Sequence, residues 1–252
     1  MTQLISLIQA AVAFGTVILF GAVGEILAEK SGNLNLGVPG VMYLGGIAGL
    51  VAAFFYERSA ANPNGLVALL VTFGACFLAA MIGGLIYAVL TITLRANQNV
   101  TGLTLTIFGG GVANLFGGTL NKMAGGVGQI SVALTSSAFR TTMPYLSTET
   151  GAIGKIFFSY GFLAYLAVLV AVFVSWFINR TSVGLNLRAV GENPATADAA
   201  GINVTKYKYV ATCVGAGISG FGGLYYTIDY IKGTWSTDGS IEGLGWLAVA
   251  LV

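Results

Sequence analysis

The sequence predicts an all-α fold, a polytopic transmembrane helical bundle, on three observations. Apolar residues make up 56% of the 252 residues and charged residues only 8%, with a mean hydropathy of +0.85. A soluble domain carries about 25% charged residues, so a chain this poor in charge cannot cover itself against water, whereas a bilayer removes that need. The apolar residues also fall into runs of membrane-spanning length. Lastly, glycine is abundant, with 37 residues, as expected of helices whose backbones approach closely inside a membrane.

A hydrocarbon core of about 30 Å needs roughly 20 helical residues. Runs of about that length occupy 3–27, 37–56, 65–94, 101–118, 156–178 and 207–229, and a seventh begins near Gly243. The first run follows Met1-Thr2-Gln3 with no positive charge before Lys30, so it reads as a retained helix and not a cleaved signal. The third run is long enough to tilt or kink, with Gly83-Gly84 offering a bend. The fourth is short and carries Gly109-Gly110-Gly111 and Gly117-Gly118. The chain stops at Val252 inside an apolar stretch, which leads us to expect further C-terminal spans beyond this single transmembrane domain, 1–252.

Six connectors separate the runs: 28–36, 57–64, 95–100, 119–155, 179–206 and 230–242. The long 119–155 connector holds Pro144 and has room for a short surface helix. One side of the membrane would receive Lys30, Arg95, Arg180, Arg188, Lys206 and Lys208. The other would receive Arg58, Lys122, Arg140, Lys155 and Lys232. Short connectors count most in the positive-inside rule. Leaving out 119–155 gives six against two and an expected outside N-terminus.

The charge balance is +2 and the basic residues are scattered, so nucleic acid is not an expected partner. With no histidine, His-based catalysis and His-containing metal sites are excluded. Cys76 and Cys213 lie in apolar runs and read as packing residues, not a disulfide. Glu25 looks like an interfacial charge, and Asp229 with Lys232 like a helix-end ion pair. Gly45, Gly49 and Ala53, and Gly215, Ser219 and Gly223, recur every four residues and predict packing seams.

Two connectors carry further information. In 179–206, Asn193 is a strong N-cap, Pro194 suits the first helical position, and Gly201 suits a left-handed C′. Between them Ala195, Thr196, Ala197, Asp198, Ala199 and Ala200 make a small helix about 10 Å long. Such an element reads either as an interfacial linker or as a rigid knob that docks into another protein. In Glu29–Gly40, Ser31, Asn33, Asn35, Gly37, Pro39 and Gly40 interrupt an apolar region. A helix broken inside a membrane must be buried in protein or face water. Asn33 and Asn35 therefore line a cavity, or else the segment is a surface turn.

The segment Glu29–Gly40, followed by Val41-Met42, resembles a signature near the start of ABC-transporter permeases for nucleosides and simple sugars. Gly191-Glu192-Asn193-Pro194 through Ala199-Ala200-Gly201-Ile202-Asn203-Val204 resembles their cytoplasmic coupling loop. Both motifs stand in the family's order and spacing, and the likeness covers essentially the whole chain. Branched-chain amino acid and ribose permeases word these loops differently, so the nucleoside group is the better match. Where these permeases commonly have an acid, this chain has Pro39, and no role for that acid carries over.

The resemblance implies a cell-membrane permease subunit with no catalytic residue and no bound cofactor. There is no G-x-x-x-x-G-K-[ST] phosphate loop in the chain, so ATP would be used by a separate ATP-binding subunit. It further implies a second, paralogous permease to complete the pore and an extracytoplasmic substrate-binding protein. The coupling element would be Gly191–Gly201, and the broken-helix or pore segment Ser31, Asn33, Asn35, Gly37 and Gly40. A sister permease for sugars or branched-chain amino acids, an ion-coupled secondary transporter and a membrane-embedded enzyme are the competing classes.

Overall fold

The computed structural model describes residues 2–126, 130, 132–140, 156–236 and 238–252. The described residues form helices and turns and no strand. In chain order the helices are α1 (Thr2–Glu29), α2 (Val38–Ser59), α3 (Gly65–Ala88), α4 (Gln98–Met123), α5 (Ala133–Phe139), α6 (Phe162–Arg180), α7 (Ser182–Glu192), α8 (Pro194–Ala199), α9 (Val204–Leu224) and α10 (Ser240–Ala250). Wider π-helical turns extend α3 through Val89–Thr93 and α9 through Tyr225–Tyr230.

Among the described residues, five helices are long and apolar enough to cross a membrane: 3–29, 38–59, 65–93, 98–123 and 162–180. Their outward residues are apolar, among them Leu70 and Ile82 on α3, Ile107 and Leu115 on α4, and Leu169 and Val172 on α6. Helices that expose this much hydrocarbon need lipid around them, and the chain is a multi-pass membrane protein. The expected span at 207–229 is one continuous helix, α9 with its π-helical end, but it is not among these five. Its position explains why. It runs through the middle of the bundle against α1, α2 and α3, and every residue from Gly215 to Leu224 is buried. A helix wrapped in protein needs small side chains more than apolar ones.

Glycine supplies that closeness. A methyl group on Gly45 would lie 2.8 Å from Gly220 Cα, and one on Gly46 2.8 Å from the Gly223 carbonyl oxygen. Gly215 meets the carbonyl oxygen of Gly24, and Gly223 that of Met42. Each expected seam thus brings α9 backbone to backbone with a neighbour, Gly215 on α1, and Gly223 and Gly45 between α9 and α2, whereas Gly49 faces the side chains of Leu224 and Cys76. Phe221 fills the remaining space, stacked on Phe73 at 4.0 Å between centroids and edge-on to Phe20 at 5.8 Å. Gly83 and Gly84 lie within continuous α-helix. They admit Leu44 and Ala216, and the departure from α-helix comes later, at Val89–Thr93. The fourth run is longer at both ends than its apolar stretch suggested, and Asn97 caps its start through Asn99 N and Val100 N.

The 119–155 connector contains α5, which buries Thr135, Ser136 and Phe139 and leaves Ala133 and Ser137 exposed. Glu57, at the end of α2, holds it by accepting from Thr135 N at 2.7 Å and Thr135 Oγ1 at 2.6 Å. Pro144 and Lys155, read as part of that connector, lie outside the described residues. Cys76 and Cys213 are free thiols. Near the far end, α10 packs on α1 and α2, with Gly21 against Ala248 and Gly245 against Pro39.

Candidate functional site

The small helix of the 179–206 connector has the expected limits. Asn193 Oδ1 accepts from Thr196 N at 3.1 Å, and Pro194 opens the helix. At its other end Gly201 adopts φ +81°. Gly201 N–H donates to the Asp198 carbonyl at 2.9 Å and Ile202 N–H to that of Ala197 at 3.0 Å, the paired bonds of a glycine-ended helix. Among its residues only Ala197 is buried; Pro194, Ala195, Thr196, Asp198, Ala199 and Ala200 are exposed. The element is thus a rigid projection with a smooth outer surface.

Sequence reading missed the helix before it. Gly191 and Glu192 do not start the small helix; they end α7, an 11-residue helix capped by Thr181 through Gly184 N at 3.0 Å. Its buried face is Gly184, Leu187 and Val190. That spacing, with the Thr181 cap, was the available signal. A recess of about 570 Å³ lies between α1, α6 and α7, bordered by Glu29, Lys30, Arg188 and Glu192.

The break between α1 and α2 is buried in protein, not a surface turn. Ser31, Asn33 and Asn35 are 0%, 1% and 3% exposed. Ser31 Oγ donates to the Ala28 carbonyl at 2.6 Å, continuing the end of α1. Asn33 Nδ2 donates to Thr212 Oγ1 of α9 at 3.0 Å. Asn35 N–H donates to Glu25 Oε1 at 2.6 Å, and Asn35 Oδ1 accepts from Gly37 N at 2.8 Å. Leu34 N–H donates to Gln98 Oε1 of α4 at 3.1 Å, while the Tyr87 hydroxyl of α3 donates to the Leu34 carbonyl. Four helices thus satisfy the polar groups that the break leaves without helical partners.

Glu25 is accordingly not an interfacial charge. It is 2% exposed and serves as acceptor for the broken segment. Gly37 and Gly40 let α4 reach the break. A methyl on Gly37 would lie 3.0 Å from the Gly102 carbonyl oxygen, and one on Gly40 2.7 Å from Thr106 Cα. Pro39 stands in the first turn of α2, buried against Gly245.

The two motifs touch. A methyl on Gly32 would lie 3.3 Å from Gly191 Cα and from the Gly191 carbonyl oxygen, and one on Gly191 3.1 Å from Gly32 N. Gly32 has φ +80°, a conformation that suits glycine. The end of α7, one residue before the cap of α8, therefore rests on the break with nothing but backbone between them.

A second correction concerns Asp229. It does not pair with Lys232. Its Oδ1 meets Arg140 Nε at 3.5 Å, while Lys232, in the left-handed region at φ +59°, makes no ion pair with it. Among the described residues no three His, Cys, Asp or Glu side chains gather where a metal ion could be held.

The profile of the family described as branched-chain amino acid transport system / permease component matches residues 7–252. The chain belongs to that family. It is 33% identical over 246 residues to a putative glucose ABC transporter permease protein of Haloferax volcanii, covering 98% of this chain and 69% of the relative. It is 31% identical over 256 residues to the guanosine ABC transporter permease protein of Bacillus subtilis, covering 98% and 75%. A nucleoside ABC transporter permease protein of Lactococcus lactis is 32% identical over 243 residues, covering 94% and 71%. No solved structure matches the chain. This ABC permease is thus a transport component by kinship, and its small helix and broken segment are the places to seek its function.

Proposed function

We propose that this permease forms half of the pore of an ATP-driven importer for nucleosides, with α8 as the element that couples it to a separate ATP-binding subunit. The observation that carries this reading is the contact of Gly191 with Gly32. It joins the projecting α8 to a segment bonded to α1, α3, α4 and α9. Movement of α8 with a docked ATPase would reach all four helices at once, since packed interfaces switch between arrangements and do not deform smoothly. ATP would be bound by that subunit and not by this chain.

In this reading α8 is cytoplasmic and the N-terminus of α1 lies outside. A second, paralogous permease completes the pore, and an extracytoplasmic binding protein delivers the solute. Nucleosides are favoured by the wording of the two loops and by the names of the Bacillus and Lactococcus relatives. The Haloferax relative's name supports simple sugars as the second reading.

The test is reconstitution in proteoliposomes with the neighbouring ATP-binding subunit, partner permease and binding protein. ATP-dependent uptake of guanosine in preference to glucose is the expected result. Uptake driven by an ion gradient without ATP would overturn the reading.

A further inference from the structure

At the end of the bundle remote from α8, a recess of about 790 Å³ opens between the N-terminal half of α1, α5, the start of α6 and the end of α9. Ser136, Arg140, Tyr160, Asp229, Tyr230 and Lys232 are in its wall. The helical rise puts it about 40 Å from α8 along α9.

Asp229 is 8% exposed, and Arg140 engages one of its oxygens. The other, Oδ2, is buried and has no hydrogen-bond partner, and neither has the buried hydroxyl of Tyr160. Buried polar atoms are nearly always paired, so two orphans on residues that line one recess call for an occupant. Gly161 is what lets the carboxylate sit there. A methyl at that position would run into Asp229 Oδ2 and the Phe139 carbonyl oxygen. Gly161 thus lies directly against Oδ2, and both residues line the recess.

The chemistry of the wall selects the ligand. A carboxylate oxygen accepts from a hydroxyl, a phenol both donates and accepts, and Arg140 donates to hydroxyl oxygens. Among the described residues of the wall, Arg140 and Lys232 outweigh Asp229 in charge, which disfavours a cationic solute. The half-exposed ring of Tyr230 offers a face to the C–H surface of a sugar ring. We propose that this recess receives the transported solute on the extracytoplasmic side, and that Asp229 and Tyr160 bind a vicinal diol of it. The diol is the ribose 2′,3′-diol of a nucleoside or the ring hydroxyls of a monosaccharide. The proposal rests on the importer reading above.

Tyr160→Phe and Asp229→Asn in the complete reconstituted complex test it. Tyr160→Phe removes a hydroxyl that bonds to nothing, so its thermal stability should equal or exceed that of the wild type. For guanosine, both variants should raise KM by on the order of tenfold, the worth of about one hydrogen bond to a charged group. For 2′-deoxyguanosine they should raise it much less. The ratio of variant to wild type cancels the binding protein's own preference. Glucose and 2-deoxyglucose form the parallel arm, so the solute that carries the effect identifies the source of the diol. Unchanged KM, or equal losses on hydroxylated and deoxy solutes by well-folded variants, overturns the site while leaving the importer reading intact. A wild-type complex that takes up none of these solutes overturns both.

Discussion

Gly32 and Gly191 meet with no side chain between them: a methyl group on either would lie within 3.3 Å of the other's backbone. This contact joins the break after α1 to the end of α7, and through Asn193 to α8. Its closeness makes it sensitive to the smallest substitution. Gly191→Ala drives a methyl into the Lys30 carbonyl, and overpacking of this kind costs about 1–3 kcal/mol. The expected outcome is a lower Tm in detergent and reduced ATP-driven uptake. Gly32→Ala should lose at least as much, because it also forces a side chain to φ +80°. Wild-type Tm and uptake in both variants would mean that the two motifs merely lie side by side.

The buried knot of the break makes its own prediction. Glu25 Oε1 is the acceptor for Asn35 N–H, so a neutral residue with an oxygen in the same place should keep that bond. Glu25→Gln is expected to fold with near wild-type Tm. Glu25→Leu leaves a buried N–H without a partner, at about 1–3 kcal/mol. Replacing Asn33 and Asn35 together with Leu removes the bonds to Thr212 Oγ1 and Gly37 N and should impair both stability and uptake. A Glu25→Leu protein as stable as the wild type would remove Glu25 from the knot.

How much of this was legible in the sequence follows from what each signal depends on. Local chemistry was legible: Asn193, Pro194 and Gly201 set the limits of α8 because caps act within a few residues. Apolar run length located α1, α2, α3 and α6 for the same reason. Long-range pairing was not legible. Asn33 finds Thr212, and Leu34 finds Gln98 and Tyr87, across large sequence separations, and no local pattern names such partners. Asp229 was assigned to Lys232 by spacing alone, whereas the fold brings Arg140 to it. Helix α7 was hidden because its buried face is small, with a glycine where a larger apolar residue would have marked the period.

Topology is tested by cysteine labelling after the native Cys76 and Cys213 are replaced. Ala195 and Ala61 are exposed and lie on opposite sides in the orientation proposed. A membrane-impermeant maleimide should label Ala61→Cys in intact cells, and Ala195→Cys only after permeabilisation. The reverse pattern would invert the chain in the membrane. Ala197 is unsuitable for this purpose, since it is 3% exposed.

The same difference in exposure sharpens the test of coupling. If α8 docks in a groove of an ATP-binding subunit, bulk on its outer surface must hold the partner off. Ala199 and Ala200 are exposed, whereas Ala197 is packed inward. Ala199→Trp and Ala200→Trp should therefore leave Tm unchanged while sharply lowering both co-purification with the ATPase and ATP-driven uptake. Ala197→Trp should instead lower Tm, because its indole has no space in the packing beneath the helix. Gly201→Val acts by a third route. A β-branched residue is strained at φ +81°, so the paired bonds to Asp198 and Ala197 weaken and α8 loses its fixed end. Its uptake should fall with only a modest loss of Tm, since Gly201 is exposed and a side chain there meets open space. Measuring Tm, association and uptake on all four variants separates folding from docking. Full association and full transport by Ala199→Trp and Ala200→Trp would reduce α8 to a linker, and coupling would have to be sought along α7 instead.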